Sequence, residues 1–162
     1  AAAEQVFASW FSLHSLWDKI RTTGGAYGAS CWVDNGEKSI IYSSYRDPSP
    51  EKTIKVYADA LKDVMDNPIP KDDIDKTIVS TYGGAIVPVT PKDRGERGFN
   101  AFIYGEPDYS RQRRVDNILN VTPEDIEKTV KRLYENAQQE YRQVVFCDKK
   151  VDISGKKLKL PL

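Results

Sequence analysis

The chain has 162 residues, enough for one domain whose core buries roughly 70% of the surface that the unfolded chain exposes. Lys plus Arg number 24 and Asp plus Glu number 24, so the formal charge is zero, which argues against electrostatic capture of nucleic acid or of an anionic membrane as the main function. No run approaches the ~18 consecutive apolar residues of a membrane span. Two cysteines make no disulfide framework, and a single histidine makes no zinc site of the common kinds.

From Glu4 to about Arg21, Val6, Phe7, Trp10, Leu13, Trp17 and Ile20 recur at steps of three and four, which predicts an amphipathic helix with a wide aromatic stripe. Its start carries no capping Ser, Asp or Asn. Asp18, Lys19 and Arg21 interrupt any signal-peptide-like apolar run. Gly24-Gly25 ends this helix by supplying a residue that tolerates positive φ. Two β runs follow, Ala26–Asp34 and Lys38–Arg46, with Asn35-Gly36 between them as a type I′ hairpin signal. A two-residue loop there sets Val33 opposite Lys38, Cys31 opposite Ile40, Ala29 opposite Tyr42 and Tyr27 opposite Ser44, on one largely apolar face. The other face carries Gly28, Ser30, Trp32, Ser39, Ile41, Ser43 and Tyr45, and it is wet or lines a cavity.

Ser49 and Pro50 open a helix to about Asp66, with Ile54, Tyr57, Leu61 and Val64 inward and Asn67-Pro68 as its stop. Asp72, Asp73 and Asp75 favour the start of the next helix, which carries Ile74, Ile78 and Tyr82 and is expected to close at Gly83-Gly84. Beyond the loop 85–91 lie a glycine-weakened helix with Phe99, Phe102 and Ile103, then one with Val115, Ile118 and Leu119. Thr122-Pro123-Glu124-Asp125 opens a last helix through a variant capping box, with Ile126, Val130 and Leu133 inward. Tyr141–Cys147 reads as a third strand, and 148–162 is a lysine-rich tail. The order predicts an α+β fold, an antiparallel sheet with helices packed on one face. Three strands are few for so many helices, so the chain reads as a single partial domain, 1–162, whose opening strands precede Glu4. Its unpaired sheet edge favours self-association.

Among chemistry-bearing residues, Arg21 and Tyr27 bracket a turn rich in glycine: Gly24, Gly25 and then Gly28. A guanidinium and a phenol on either side of closely approachable backbone can hold a peptide carbonyl and stabilise charge on its oxygen. The same two residues also fit a cation at a helix C-terminus and a strand aromatic. The glycines are not a phosphate loop, because such a loop runs from strand into helix and this one runs from helix into strand. His14 reads as structural, Cys31 and Cys147 as small strand hydrophobes, and Asp72, Asp73 and Asp75 as a helix start. Arg94, Arg97, Arg111, Arg113 and Arg114 read as a solvated face balanced by Asp93, Glu96, Glu106 and Asp116.

Leu16-Trp17-Asp18-Lys19-Ile20-Arg21 followed by Gly24-Gly25-Ala26-Tyr27-Gly28 resembles the signature of pitrilysin-type (inverzincin) zinc metallopeptidases, more narrowly the presequence protease and falcilysin branch. Ser44-Tyr45-Arg46-Asp47-Pro48 with Lys52-Thr53 and Tyr57, and Val121-Thr122-Pro123-Glu124-Asp125-Ile126, resemble the same branch. The likeness runs from about Val6 to Cys147. It implies the C-terminal, N-terminally truncated domain of a clamshell of four related α+β domains. Zinc in such enzymes is bound elsewhere, on an H-x-x-E-H helix that this chain lacks, so no metal site and no hydrolysis are expected of the fragment alone. It further implies that Arg21 and Tyr27 reach a peptide substrate across a chamber closed by the N-terminal catalytic half of the same polypeptide, in an organelle or in a bacterial cytoplasm. A non-catalytic structural or regulatory subunit on the same fold is the competing expectation.

Overall fold

A computed structural model describes residues 2–107, 109–139 and 141–147. The apolar residues at the head of the chain wind into α1 (Ala2–Phe11), which passes without a break into a π-helical segment, Ser12–Thr23. Hydrogen bonds in a π-helix run from i to i+5, so its face advances more slowly than the 3.6 period assumes. The buried line is therefore Phe7, Phe11, Leu16 and Ile20. Leu13 and Trp17, expected inward, are exposed (65% and 42%). Ser12, where the winding changes, is tied to the sheet: its Oγ accepts the Cys31 N–H at 2.7 Å. The same oxygen lies 2.8 Å from the Ala8 carbonyl and 3.0 Å from the Cys31 carbonyl.

Strands β1 (Gly28–Asp34) and β2 (Ser39–Tyr45) form an antiparallel pair. The expected register is corrected by two residues: Val33 faces Ile40, Cys31 faces Tyr42 and Ala29 faces Ser44. A slip of two keeps every side chain on its face, so the apolar face survives. The cause lies in the turn. Asp34 Oδ1 accepts the N–H groups of Gly36 (2.9 Å) and Glu37 (3.1 Å). Such an Asx-type turn outcompetes the two-residue loop, and the left-handed residue is Lys38 (φ 50°) instead of Asn35-Gly36. Cys31 is buried, while Ala29, Val33, Ile40 and Tyr42 pack against the core; Trp32 and Tyr45 stand exposed on the other face.

Helices α2 (Pro50–Asp66), α3 (Lys71–Ile86), α4 (Pro91–Ile103), α5 (Ser110–Leu119) and α6 (Pro123–Ala137) follow. Ser49 stands at the start of α2 but makes no side-chain capping bond; its own N–H goes to Asp47 Oδ1 at 2.9 Å. Helix α3 runs through Gly83-Gly84 and ends before Val87-Pro88, because the residue before proline is driven out of the helical region (Val87 φ −53°, ψ 131°). In α6, Thr122 Oγ1 accepts the Asp125 N–H (3.2 Å) and Asp125 Oδ2 accepts the Thr122 N–H (3.1 Å), the reciprocal box expected from sequence. Ile126, Val130 and Leu133 are buried as expected, and so are Val115 and Ile118 in α5. Leu119 is exposed, and α4 buries none of its residues.

The core gathers Val6, Phe7, Phe11, Leu16, Ile20 and Leu61 with side chains from α3, α5 and α6. Phe7 and Phe11 stack at 4.9 Å. The fold is α+β, with helices on one sheet face. Tyr141–Cys147, expected as a third strand, forms none: β propensity alone makes no ladder without a neighbouring strand. The tail, 148–162, lies outside the described residues.

Candidate functional site at the glycine turn

The π segment ends in a turn that explains two of its glycines. A Cβ on Gly24 would lie 2.6 Å from the Ile20 carbonyl oxygen, which accepts the Ala26 N–H at 3.1 Å. Gly25 has φ +79° and donates its N–H to the Arg21 carbonyl at 3.0 Å. Both glycines therefore serve the close of the helix. Gly28 is different: nothing lies within 4 Å of a Cβ built there, so the fold leaves bare backbone at the head of β1 without needing it.

The turn sets Arg21 and Tyr27 on either side of itself. The Arg21 guanidinium carbon sits 3.9 Å from the centroid of the Trp17 ring. Stacking engages the face of the guanidinium and leaves its in-plane N–H donors to point elsewhere. Tyr27 lies just before β1, its N–H bonded to the Tyr45 carbonyl at 3.0 Å, and the residue is 64% exposed. Strand parity turns Tyr27 toward the apolar face unless it lies in the loop before the strand, and the structure shows the second case: the residue precedes the regular ladder. Its ring meets Tyr45 edge-on, centroids 6.0 Å apart at 83°. Arg46 Cζ lies 5.7 Å from the Tyr27 centroid and 5.6 Å from that of Tyr45. No hydrogen bond or ring contact joins Arg21 to Tyr27; each is held by its own aromatic partner.

The outcome is a solvent-facing pair before the glycine turn, Arg21 on Trp17, and a solvent-facing cluster after it, Arg46 with Tyr27 and Tyr45. The Arg21 guanidinium and the Tyr27 phenol can each donate a hydrogen bond to a ligand oxygen, and the rings offer flat apolar contact. Trp17, Tyr45 and Arg46 were not expected here. Tyr45 had a legible signal, since its parity places it on the open face. Trp17 was hidden by the change of helical winding, and Arg46 by a backbone conformation that no local pattern announces.

Other candidate residues stay apart from this site. His14 stacks on Trp10 at 5.2 Å, with Nδ1 3.1 Å from the Trp10 carbonyl. Cys31 is buried on the opposite sheet face, and burial pushes its thiol up to about 12, so it is no nucleophile. Asp73 pairs with Lys76 at the head of α3. Arg114 meets Glu106 at 3.0 Å and holds that carboxyl below its usual range. Arg111 donates to the Ala85 carbonyl, and Arg113 lies over Tyr109. Among the described residues no three of His, Cys, Asp and Glu converge, so these side chains do not fit a zinc centre.

The family model that matches the chain is described as the PreP C-terminal domain and covers residues 3–150. The mitochondrial presequence protease of Candida albicans is 30% identical over 136 residues, which is 83% of this chain and 13% of that protein. The chloroplastic/mitochondrial presequence protease 1 of Arabidopsis thaliana is 31% identical over 110 residues, 68% of this chain and 10% of that protein. An uncharacterized protein of Borreliella burgdorferi is 31% identical over 113 residues, 70% of this chain and 11% of that protein. The chain thus spans about a tenth of the length of these relatives.

Proposed function

The chain belongs to the PreP C-terminal domain family, and from that premise we propose that it is the substrate-binding C-terminal portion of a peptidase that cleaves short unfolded peptides. The zinc of such an enzyme would be held by another part of the polypeptide. The relatives named as mitochondrial or chloroplastic/mitochondrial presequence proteases support an organellar parent, and the Borreliella burgdorferi relative supports a bacterial one. No helix among the described residues is long and apolar enough to cross a membrane.

The observation that carries this reading is the glycine turn. It leaves Tyr27 exposed and Arg21 partly exposed, and neither side chain makes a hydrogen bond within the described residues, so both can donate to a docked chain. A peptide in extended conformation offers unpaired backbone carbonyls that such donors can hold. Arg21 and Tyr27 would donate to one carbonyl and stabilise negative charge gathering on its oxygen during hydrolysis. The bare backbone at Gly28 lets the peptide main chain lie close against β1.

In the full-length polypeptide, Arg21→Ala and Tyr27→Phe are each expected to lower kcat/KM on an unstructured fluorogenic peptide by about 10²-fold. Thermal unfolding should move by no more than ~2 °C, since both side chains lie outside the core. Near-normal kcat/KM in both variants would overturn the assignment and favour a scaffolding role for the domain.

A further inference from the structure

Arg46 is the one residue in the cluster whose backbone is out of place. It follows directly on β2 with φ 48°, a left-handed conformation that a long side chain adopts only against its steric preference. Strain of this kind persists where surrounding structure or function maintains it. The chain holds an internal comparison. Among the described non-glycine residues only Lys38 shares the conformation (φ 50°), and Lys38 sits at the tip of the hairpin, where the Asp34 turn explains it. At Arg46 the consequence of the conformation is different. It brings the guanidinium over Tyr27 and Tyr45 together, at 5.7 and 5.6 Å from their centroids, and among the described residues Arg46 forms no ion pair that would account for its placement.

An exposed tyrosine outside a strand ladder has rotameric freedom, and a phenol that must meet a developing charge cannot have much of it. Tyr27 gains one restraint from the edge-on contact with Tyr45. We propose that Arg46 is a positioning residue for the peptide-binding phenol: its guanidinium, held over Tyr27 and Tyr45 by left-handed backbone, fixes the Tyr27 ring in the orientation that meets the substrate carbonyl. This rests on the assignment of Tyr27 to substrate binding. Arg46 acts through Tyr27, and its loss should therefore appear in the chemical step more than in substrate affinity.

The test uses the full-length polypeptide and an unstructured fluorogenic peptide. Arg46→Gly removes the guanidinium and the backbone strain together, so it should leave the thermal midpoint unchanged or raised while kcat falls about five- to tenfold and KM changes less than twofold. Lys38→Gly relieves the same strain away from the site and should raise or keep the midpoint with kcat/KM unchanged. In a Tyr27→Phe background, Arg46→Gly should add less than a twofold loss, because the hydroxyl that it orients is already gone. Wild-type kcat in Arg46→Gly, an effect confined to KM, or a full further loss in the Tyr27→Phe background would each overturn the positioning role. Should Tyr27→Phe itself turn over like the wild type, the assignment of Tyr27 falls and this inference with it. An impaired Tyr27→Phe beside an unimpaired Arg46→Gly removes the inference alone.

Discussion

Two pairs of adjacent glycines, Gly24-Gly25 and Gly83-Gly84, look alike in sequence and do opposite things in the fold. The first pair closes the π segment: one glycine makes room for the Ile20 carbonyl at 2.6 Å and the other takes φ +79°. The second pair lies inside α3 in ordinary helical conformation, exposed, with nothing within 4 Å of a Cβ at either position. A double glycine ends a helix only where the incoming chain demands close approach or a left-handed residue. After Tyr82 neither demand exists, and Pro88 sets the end instead. After Thr23 both demands exist, because Ala26 must return to Ile20 and Tyr27 must reach Tyr45.

The largest effect is expected at Gly24. Gly24→Ala places a methyl 2.6 Å from backbone that cannot move independently, since the Ile20 carbonyl is itself bonded to Ala26. The local escape is to rewind Ser12–Thr23 as α-helix, which would break the buried line Phe11, Leu16, Ile20. Either route is expected to cost about 2–3 kcal/mol, read as a fall of ~5–10 °C in the thermal midpoint. A midpoint within 1 °C of the wild type would show that the close approach does not shape the turn.

Gly25 should matter less. At φ +79° a Cβ meets only Pro48 Cγ at 3.6 Å, an ordinary contact, so the cost of Gly25→Ala is conformational alone. That is about 1–2 kcal/mol. Gly25→Asn should cost less than Gly25→Ala, because asparagine tolerates the left-handed region. Equal denaturation midpoints for the two variants would contradict a conformational origin.

What was legible in the sequence follows the same division between local and distant causes. The box at Thr122 and Asp125, the proline start and the inward line Ile126, Val130, Leu133 all lie within one helix and read correctly. So did the two faces of the hairpin, because parity is insensitive to a slip of two residues. Its register was not legible, since Asn35-Gly36 signals one turn and the Asp34 carboxylate builds another. The exposure of Leu13 and Trp17 was hidden because a period of 3.6 was assumed where Ser12, bonded to Cys31 nineteen residues away, marks a different winding. Tyr141–Cys147 has strand-like residues and no strand beside it. At the site, Arg21 and Tyr27 stood out through their resemblance to a family motif, while Trp17 was hidden by the winding that it shares with Arg21 and Arg46 depends on where the hairpin brings Tyr27.

The smallest expected effect is the most discriminating between the two glycine pairs. Gly83→Ala adds a methyl into open space on a helix interior, so only the unfolded chain and the helix propensity respond. Alanine is favoured over glycine there by about 0.5–1 kcal/mol, and the midpoint should rise by ~1–4 °C. The gain should be present in 0.5 M salt as well, since no charge is involved. The sign carries the meaning: the same chemical change at Gly24 must lower stability and at Gly83 must raise it. A loss of stability in Gly83→Ala would mean that α3 ends at the glycines, as the sequence alone would place it, with Ile86 and Val87 free of helical constraint. A gain fixes the end of α3 at the Val87-Pro88 step.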